Sequence, residues 1–138
     1  MEKIQERGLR FVYNDTVSSY AELLSTSGKK MLYIDRLKKL AIFVYKCVKD
    51  KGPSSTHNLY STKNVGYCLR DPHKVTQPDV NTTKFGLNSL SYSGSVLWNQ
   101  LPVDLKNSVD VNAFKQLIKL WDGPSCRCGF CILCGNST

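Results

Sequence analysis

Histidine is scarce in this chain, with only His57 and His73, and adjacent carboxylates are absent. That removes the usual material for paired acid–base work. There is no Gly-rich phosphate loop and no G-x-S-x-G turn. Cys68 and His73 could act as nucleophile and base, but they sit in a Pro-rich stretch with nothing to orient them, and Asp71-Pro72-His73 has the composition of a turn. Catalysis by this chain alone is therefore not expected. Long apolar runs are also missing: none approaches the ~18 residues of a membrane span. The opening Met-Glu-Lys-Ile-Gln-Glu-Arg is not a signal peptide. No membrane partner is expected, and the setting expected is intracellular, nuclear or cytoplasmic, and not secreted. The N-x-S/T triplets at Asn14, Asn81 and Asn136 then carry no weight as glycosylation sites.

Cysteine and positive charge are what the chain has in quantity. Nineteen Lys and Arg against eleven Asp and Glu leave a net charge of +8, an excess that favours polyanions such as RNA or DNA. Four of the six cysteines, Cys126, Cys128, Cys131 and Cys134, fall in the last thirteen residues as C-x-C-x2-C-x2-C. In a reducing compartment such a cluster is a metal-ligand set more often than a disulfide framework. Zn2+ takes four thiolates in a tetrahedron, normally from two separated C-x2-C knuckles. Here the knuckles overlap and Cys126-x-Cys128 is tighter than usual. The iron–sulfur pattern shares C-x2-C-x2-C but requires a following x3-Cys-Pro that is absent. Affinity for a thiophilic metal is expected, with zinc the candidate cofactor; a reduced tail without metal is the alternative. Cys47 and Cys68 read as a core and a loop residue.

Length and composition suit one small domain with a modest core. The expected fold is mainly α with a small β element, a helical domain followed by a cysteine-rich tail. Residues 1–51 form a helical segment. In it Ile4, Leu9, Val12 and Tyr13 mark a first helix ending near Asn14-Asp15. Ser18-Ser19 cap a second through Leu23 and Leu24, stopped by Gly28. The clearest helix spans about Lys30 to Lys49, with Ile34, Leu37, Ala41, Val44 and Val48 at alternating three- and four-residue steps, and Gly52-Pro53 ends it. Residues 52–82 are a Pro and polar connector. Residues 83–123 hold a short β element around Phe85, Leu87, Leu90 and Tyr92, a brief helix over Val96–Gln100, and a final helix capped by Asp110. In that last helix Phe114, Leu117, Ile118 and Trp121 recur at helical spacing. Residues 124–138 are the metal-binding tail. Leu37, Val44, Trp98, Phe114 and Trp121 are the expected core, with Trp98 alternatively a stacking platform for bases.

On the long helix, Arg36, Lys38, Lys39, Lys46 and Lys49 fall opposite the apolar stripe. Such a face is either the solvated side of an amphipathic helix or a track for a phosphate backbone. Arg127 and Phe130 within the cysteine tail are the further candidates for contact with RNA.

The order of several short motifs adds to this. Gln5-Glu6-Arg7-Gly8-Leu9-Arg10-Phe11-Val12-Tyr13-Asn14-Asp15 is followed by Ser19-Tyr20-Ala21-Glu22-Leu23-Leu24 and by Arg36-Leu37-Lys38-Lys39-Leu40-Ala41. Later come Gly86-Leu87-Asn88-Ser89-Leu90-Ser91-Tyr92-Ser93-Gly94, then Leu97-Trp98-Asn99-Gln100-Leu101-Pro102, Phe114-Lys115 and Trp121 before the terminal cysteines. This succession resembles the region downstream of the polymerase domain in LINE-type (non-LTR) retrotransposon reverse transcriptases of the jockey and CR1-like groups. The resemblance runs over nearly the whole chain. It departs at Ser95, where proline is expected, and at Cys134, which looks like an addition.

The resemblance implies a carboxy-terminal region of an RNA-directed DNA polymerase that helps engage element RNA or target DNA. The family's catalytic aspartate pair, in (Phe/Tyr)-Ala-Asp-Asp, has no counterpart here, so no catalytic residue carries over. It also implies that Cys126, Cys128 and Cys131 match the family's terminal cysteines. The start at Met1 fits a truncated copy or a partial gene model. Two other expectations stand beside nucleic-acid engagement: a protein-interaction module that packs on the polymerase core of the same family, and an inactive transposon remnant.

Overall fold

A computed structural model describes residues 2–29, 31–62 and 72–124. The cysteine tail and Cys68 lie outside the described residues. What is described is mainly helical: α1 (Glu2–Tyr13), α2 (Tyr20–Ser27), α3 (Leu32–Val48), a 3-10 turn at Ser54–Leu59, α4 (Leu90–Gln100), α5 (Val103–Lys106) and α6 (Val111–Leu120). None of these helices is long and apolar enough to cross a membrane. The chain divides into two compact units, Met1–Arg36 and Leu37–Thr138.

In the first unit α1 packs on α2 over a core of Leu9, Leu23 and Leu24, with Tyr20 against it. The Tyr20 hydroxyl donates to Glu2 Oε2 at 2.7 Å. Burial, reinforced by that carboxylate, pushes Tyr20 up to about 12. The α2 start is a reciprocal cap: Ser19 Oγ accepts from the Glu22 amide and Glu22 Oε2 accepts from the Ser19 amide. Gly28 ends α2 in the left-handed region at φ 62°, as its place in the sequence suggests.

The turn between α1 and α2 is organised by one carboxylate. Asp15 Oδ1 accepts from the backbone amides of Val17 and Ser18, both at 2.9 Å, and Oδ2 accepts from the Ser18 hydroxyl. The Ser18 hydroxyl and these amides hold the Asp15 carboxyl down at about 2. Because the folded value lies below the ordinary one, the turn's stabilisation is fully present above about pH 4. It is lost as pH falls through about 2. An NMR titration of the Asp15 side-chain carboxyl is expected to inflect near pH 2, and Asp15→Asn should remove the acid-dependent loosening of this turn. An inflection near 4 would show that these hydrogen bonds do not form in solution.

The second unit is built on three aromatic rings packed together from three helices. Tyr45 of α3 lies 4.4 Å from Phe114 of α6 and 6.3 Å from Trp98 of α4, centroid to centroid. All three are fully buried. The Tyr45 hydroxyl donates to Ser108 O at 2.7 Å and Trp98 Nε1 donates to His73 O at 2.8 Å, so both polar tips are satisfied. Leu37, Ala41 and Val44 complete the α3 face, as the three-and-four spacing predicts.

The expected β element at 83–95 is overturned. Residues 83–88 form turns and α4 begins at Leu90, six residues before the expected helix start. Ser89 Oγ accepts from the Tyr92 amide, an N-cap inside the supposed strand. The buried positions Gly94, Leu97, Trp98 and Leu101 then recur at helical steps. Glycine and serine on the inward face hid that period. Among the described residues the only β pairing is an antiparallel bridge between Thr62 and Val75. Asn99 supports it from α4: its Oδ1 accepts from the Val75 amide at 2.9 Å and its Nδ2 donates to Val75 O at 3.0 Å. One side-chain amide thus stands in for a neighbouring strand.

Two further expectations change in detail. Asp110 does occupy the N-cap of α6, but its carboxylate makes no capping bond there and meets Lys51 Nζ at 3.4 Å. Trp121 is half-buried at the C-cap of α6 and is not part of the aromatic cluster.

Candidate nucleic-acid interface

Helix α3 carries four of the five cations singled out on the long helix, and Lys49 follows in the turn after it. Burial of Leu37, Ala41, Val44 and Tyr45 fixes which side faces solvent. Lys39 is exposed, Lys46 is half-buried, and the seven-residue step between them is close to two helical turns, about 10.5 Å along the axis. Half-buried Phe43 stands between them on the same side. Lys49 is half-buried, its amide bonded to Tyr45 O. Arg36, the last residue of the first unit, is exposed.

Lys38 is engaged elsewhere. Its Nζ donates to Lys119 O at 2.8 Å, in the last turn of α6, where unpaired carbonyls and the helix dipole favour a cation. It belongs to the packing of α3 with α6, a contact that the sequence of one helix cannot disclose. Lys39, Lys46 and Lys49 have no ion pair with any described carboxylate.

The Trp98 ring is not available as a stacking platform. It has no exposed surface, and its indole N–H is bonded to His73 O. His57 is occupied locally, Nε2 lying 3.3 Å from Gly52 O and Nδ1 3.8 Å from Asp50. Among the described residues no group of His, Cys, Asp and Glu is assembled for a metal ion. Cys126, Cys128, Cys131, Cys134 and Arg127 lie outside the described residues.

One lysine is buried without any signal in the local sequence. Lys106 has no exposed surface, and its Nζ lies 3.5 Å from Asn99 O at the end of α4. The long aliphatic stem packs in the interior while its terminal nitrogen reaches the last turn of α4. A hydropathy pattern has no signal for this.

Comparison of the chain with protein-family models, with curated proteins and with solved structures returns no match.

Proposed function

We propose that this chain is a nucleic-acid-engaging module, the carboxy-terminal region of a LINE-type retrotransposon polymerase, that binds without catalysing. The observation that carries the binding part is the outward side of α3, where Lys39 and Lys46, with Lys49 just beyond, meet no described carboxylate. The net charge of +8 adds a general attraction for polyanions. Phe43 between Lys39 and Lys46 offers an aromatic edge beside two phosphate-binding cations, an arrangement suited to unstacked bases. The assignment to the retrotransposon family rests on the order of sequence motifs. In this proposal RNA or DNA is the partner, Arg36 and Arg127 extend the contact, and Cys126, Cys128, Cys131 and Cys134 offer thiolates suited to zinc.

The test is fluorescence anisotropy of a labelled RNA hairpin titrated with the zinc-loaded chain at several salt concentrations. Affinity should fall with salt, with a log–log slope of about −0.7 to −0.9 per phosphate contacted. Lys39→Glu with Lys46→Glu should weaken binding and flatten that slope by about 2, whereas Lys38→Met should leave it unchanged. A chain ending at Gly123 should bind more weakly, with a smaller response to added zinc. A slope near zero for the unaltered chain would overturn the proposal.

A further inference from the structure

We infer that the first unit holds a docking groove for an amphipathic helix of another protein, one that carries acidic residues beside its apolar seam. A groove of about 690 Å³ runs between α1 and the first turns of α3, floored by Leu9 and walled by Gly8, Val12 and Leu32. The apolar surface continues out of it along α1. Phe11 is 89% exposed, Val12 72%, Ile4 70% and Tyr13 44%. This unit leaves more large apolar side chains in solvent on one helix than it buries in its own core of Leu9, Leu23 and Leu24. A 36-residue unit with so small a core gains much from a partner that covers this surface.

Gly8 points to a helix as the occupant. It lies in the middle of α1, where glycine weakens a helix, and a side chain there would meet nothing within 4 Å. No contact among the described residues requires glycine at this position. A notch between Ile4 and Phe11 lets a second helix approach closely, and the groove beside it is concave, whereas a membrane surface meets convex faces. Charge selects the kind of helix. Lys3 and Arg7 border the apolar stripe, Lys29 lines the groove, and no described carboxylate pairs with any of them. Asp35 is the one acid lining the groove. A second copy meeting this face with its own would bring Lys3, Arg7 and Lys29 toward like charges, whereas an acid-flanked helix meets opposite ones. None of the groove's lining residues is among the cations proposed to contact nucleic acid, and the inference does not depend on that binding.

The test uses the full chain, labelled with nitrogen-15, and two synthetic 18-residue amphipathic peptides with a leucine seam, one flanked by glutamates and one by lysines. The glutamate peptide should shift the amide signals of α1 and of Gly28–Asp35 and bind at least about tenfold more tightly than the lysine peptide. Gly8→Gln fills the notch while favouring the helix, so it should raise the melting temperature and weaken peptide binding about tenfold or more. That pair of opposite changes separates binding from folding. Equal binding of the two peptides, binding of neither, or unaltered binding by the Gly8→Gln chain would overturn the inference. So would adsorption to phosphatidylserine vesicles through α1 without peptide binding, or concentration-dependent dimerisation that Gly8→Gln abolishes. Shifts in residues 37–124 caused by Gly8→Gln alone would also overturn it, by making the chain's own second unit the occupant.

Discussion

Trp98→Ala is expected to destabilise the second unit by about 3–5 kcal/mol, close to the limit of what a domain with roughly 5–15 kcal/mol of total stability survives. Three losses combine. The ring is fully buried against Tyr45 and Phe114, so its removal leaves a cavity that the α3, α4 and α6 backbones cannot close. Both aromatic neighbours lose a face. The His73 carbonyl loses the indole N–H at 2.8 Å that fixes the turn before Val75. Trp98→Phe retains most of the packing and isolates the hydrogen bond, with an expected cost of about 1–3 kcal/mol. Trp121→Ala, at a half-buried C-cap, should cost under about 1.5 kcal/mol. Urea unfolding followed by far-ultraviolet circular dichroism ranks the three. Equal costs at Trp98 and Trp121 would remove Trp98 from the centre of the core.

Gly94→Ala should also destabilise, by about 1–3 kcal/mol, although alanine is the better helix former by about 1 kcal/mol. Gly94 is buried inside α4, and a Cβ there would run into the Tyr60 hydroxyl and lie 2.8 Å from Tyr60 Cζ. Tyr60 cannot swing away cheaply. It is itself buried, its hydroxyl donates to Leu90 O at 2.8 Å, and burial pushes its ionisation up to about 12. The control is Tyr60→Phe, which removes the oxygen that the added methyl group would meet. If the clash is the cause, Gly94→Ala should cost less in a Tyr60→Phe background, with a coupling of about 0.5–3 kcal/mol. Additive costs would place the effect elsewhere. Glycine-to-larger substitutions at Gly8 and Gly94 are thus expected to act with opposite signs in the same molecule.

Legibility from sequence followed the side chains that carry a periodic signal. Leu37, Ala41, Val44, Phe114 and Ile118 announce their helices because large or apolar groups repeat at the helical period. Helix α4 did not, because its inward positions include Gly94 and Ser95. Ser95 is fully buried at no polar cost, since its hydroxyl donates to Ser91 O at 2.7 Å. Half of the Gly94 requirement resides in Tyr60, 34 positions upstream, which no local window connects. The same holds for the candidate site. Five cations opposite an apolar stripe were visible, but the 81-residue separation between Lys38 and Lys119 concealed that one of them is a helix cap. The Asn99 clamp on Val75 is equally invisible, because its two residues stand 24 positions apart.

The aromatic cluster also sets a timetable. Tyr45 and its hydrogen-bond acceptor Ser108 are 63 positions apart, and Phe114 follows later still. A ribosome adding about 5–20 residues each second needs on the order of several seconds to cover that distance. For most of that interval the newly made α3 has its inward stripe complete while α4 is still unfinished, and α6 is made only after it. Folding of the second unit is thus governed by the arrival of the last helix, a non-local closure of the kind that slows folding and exposes a nascent chain to chaperones or to its neighbours.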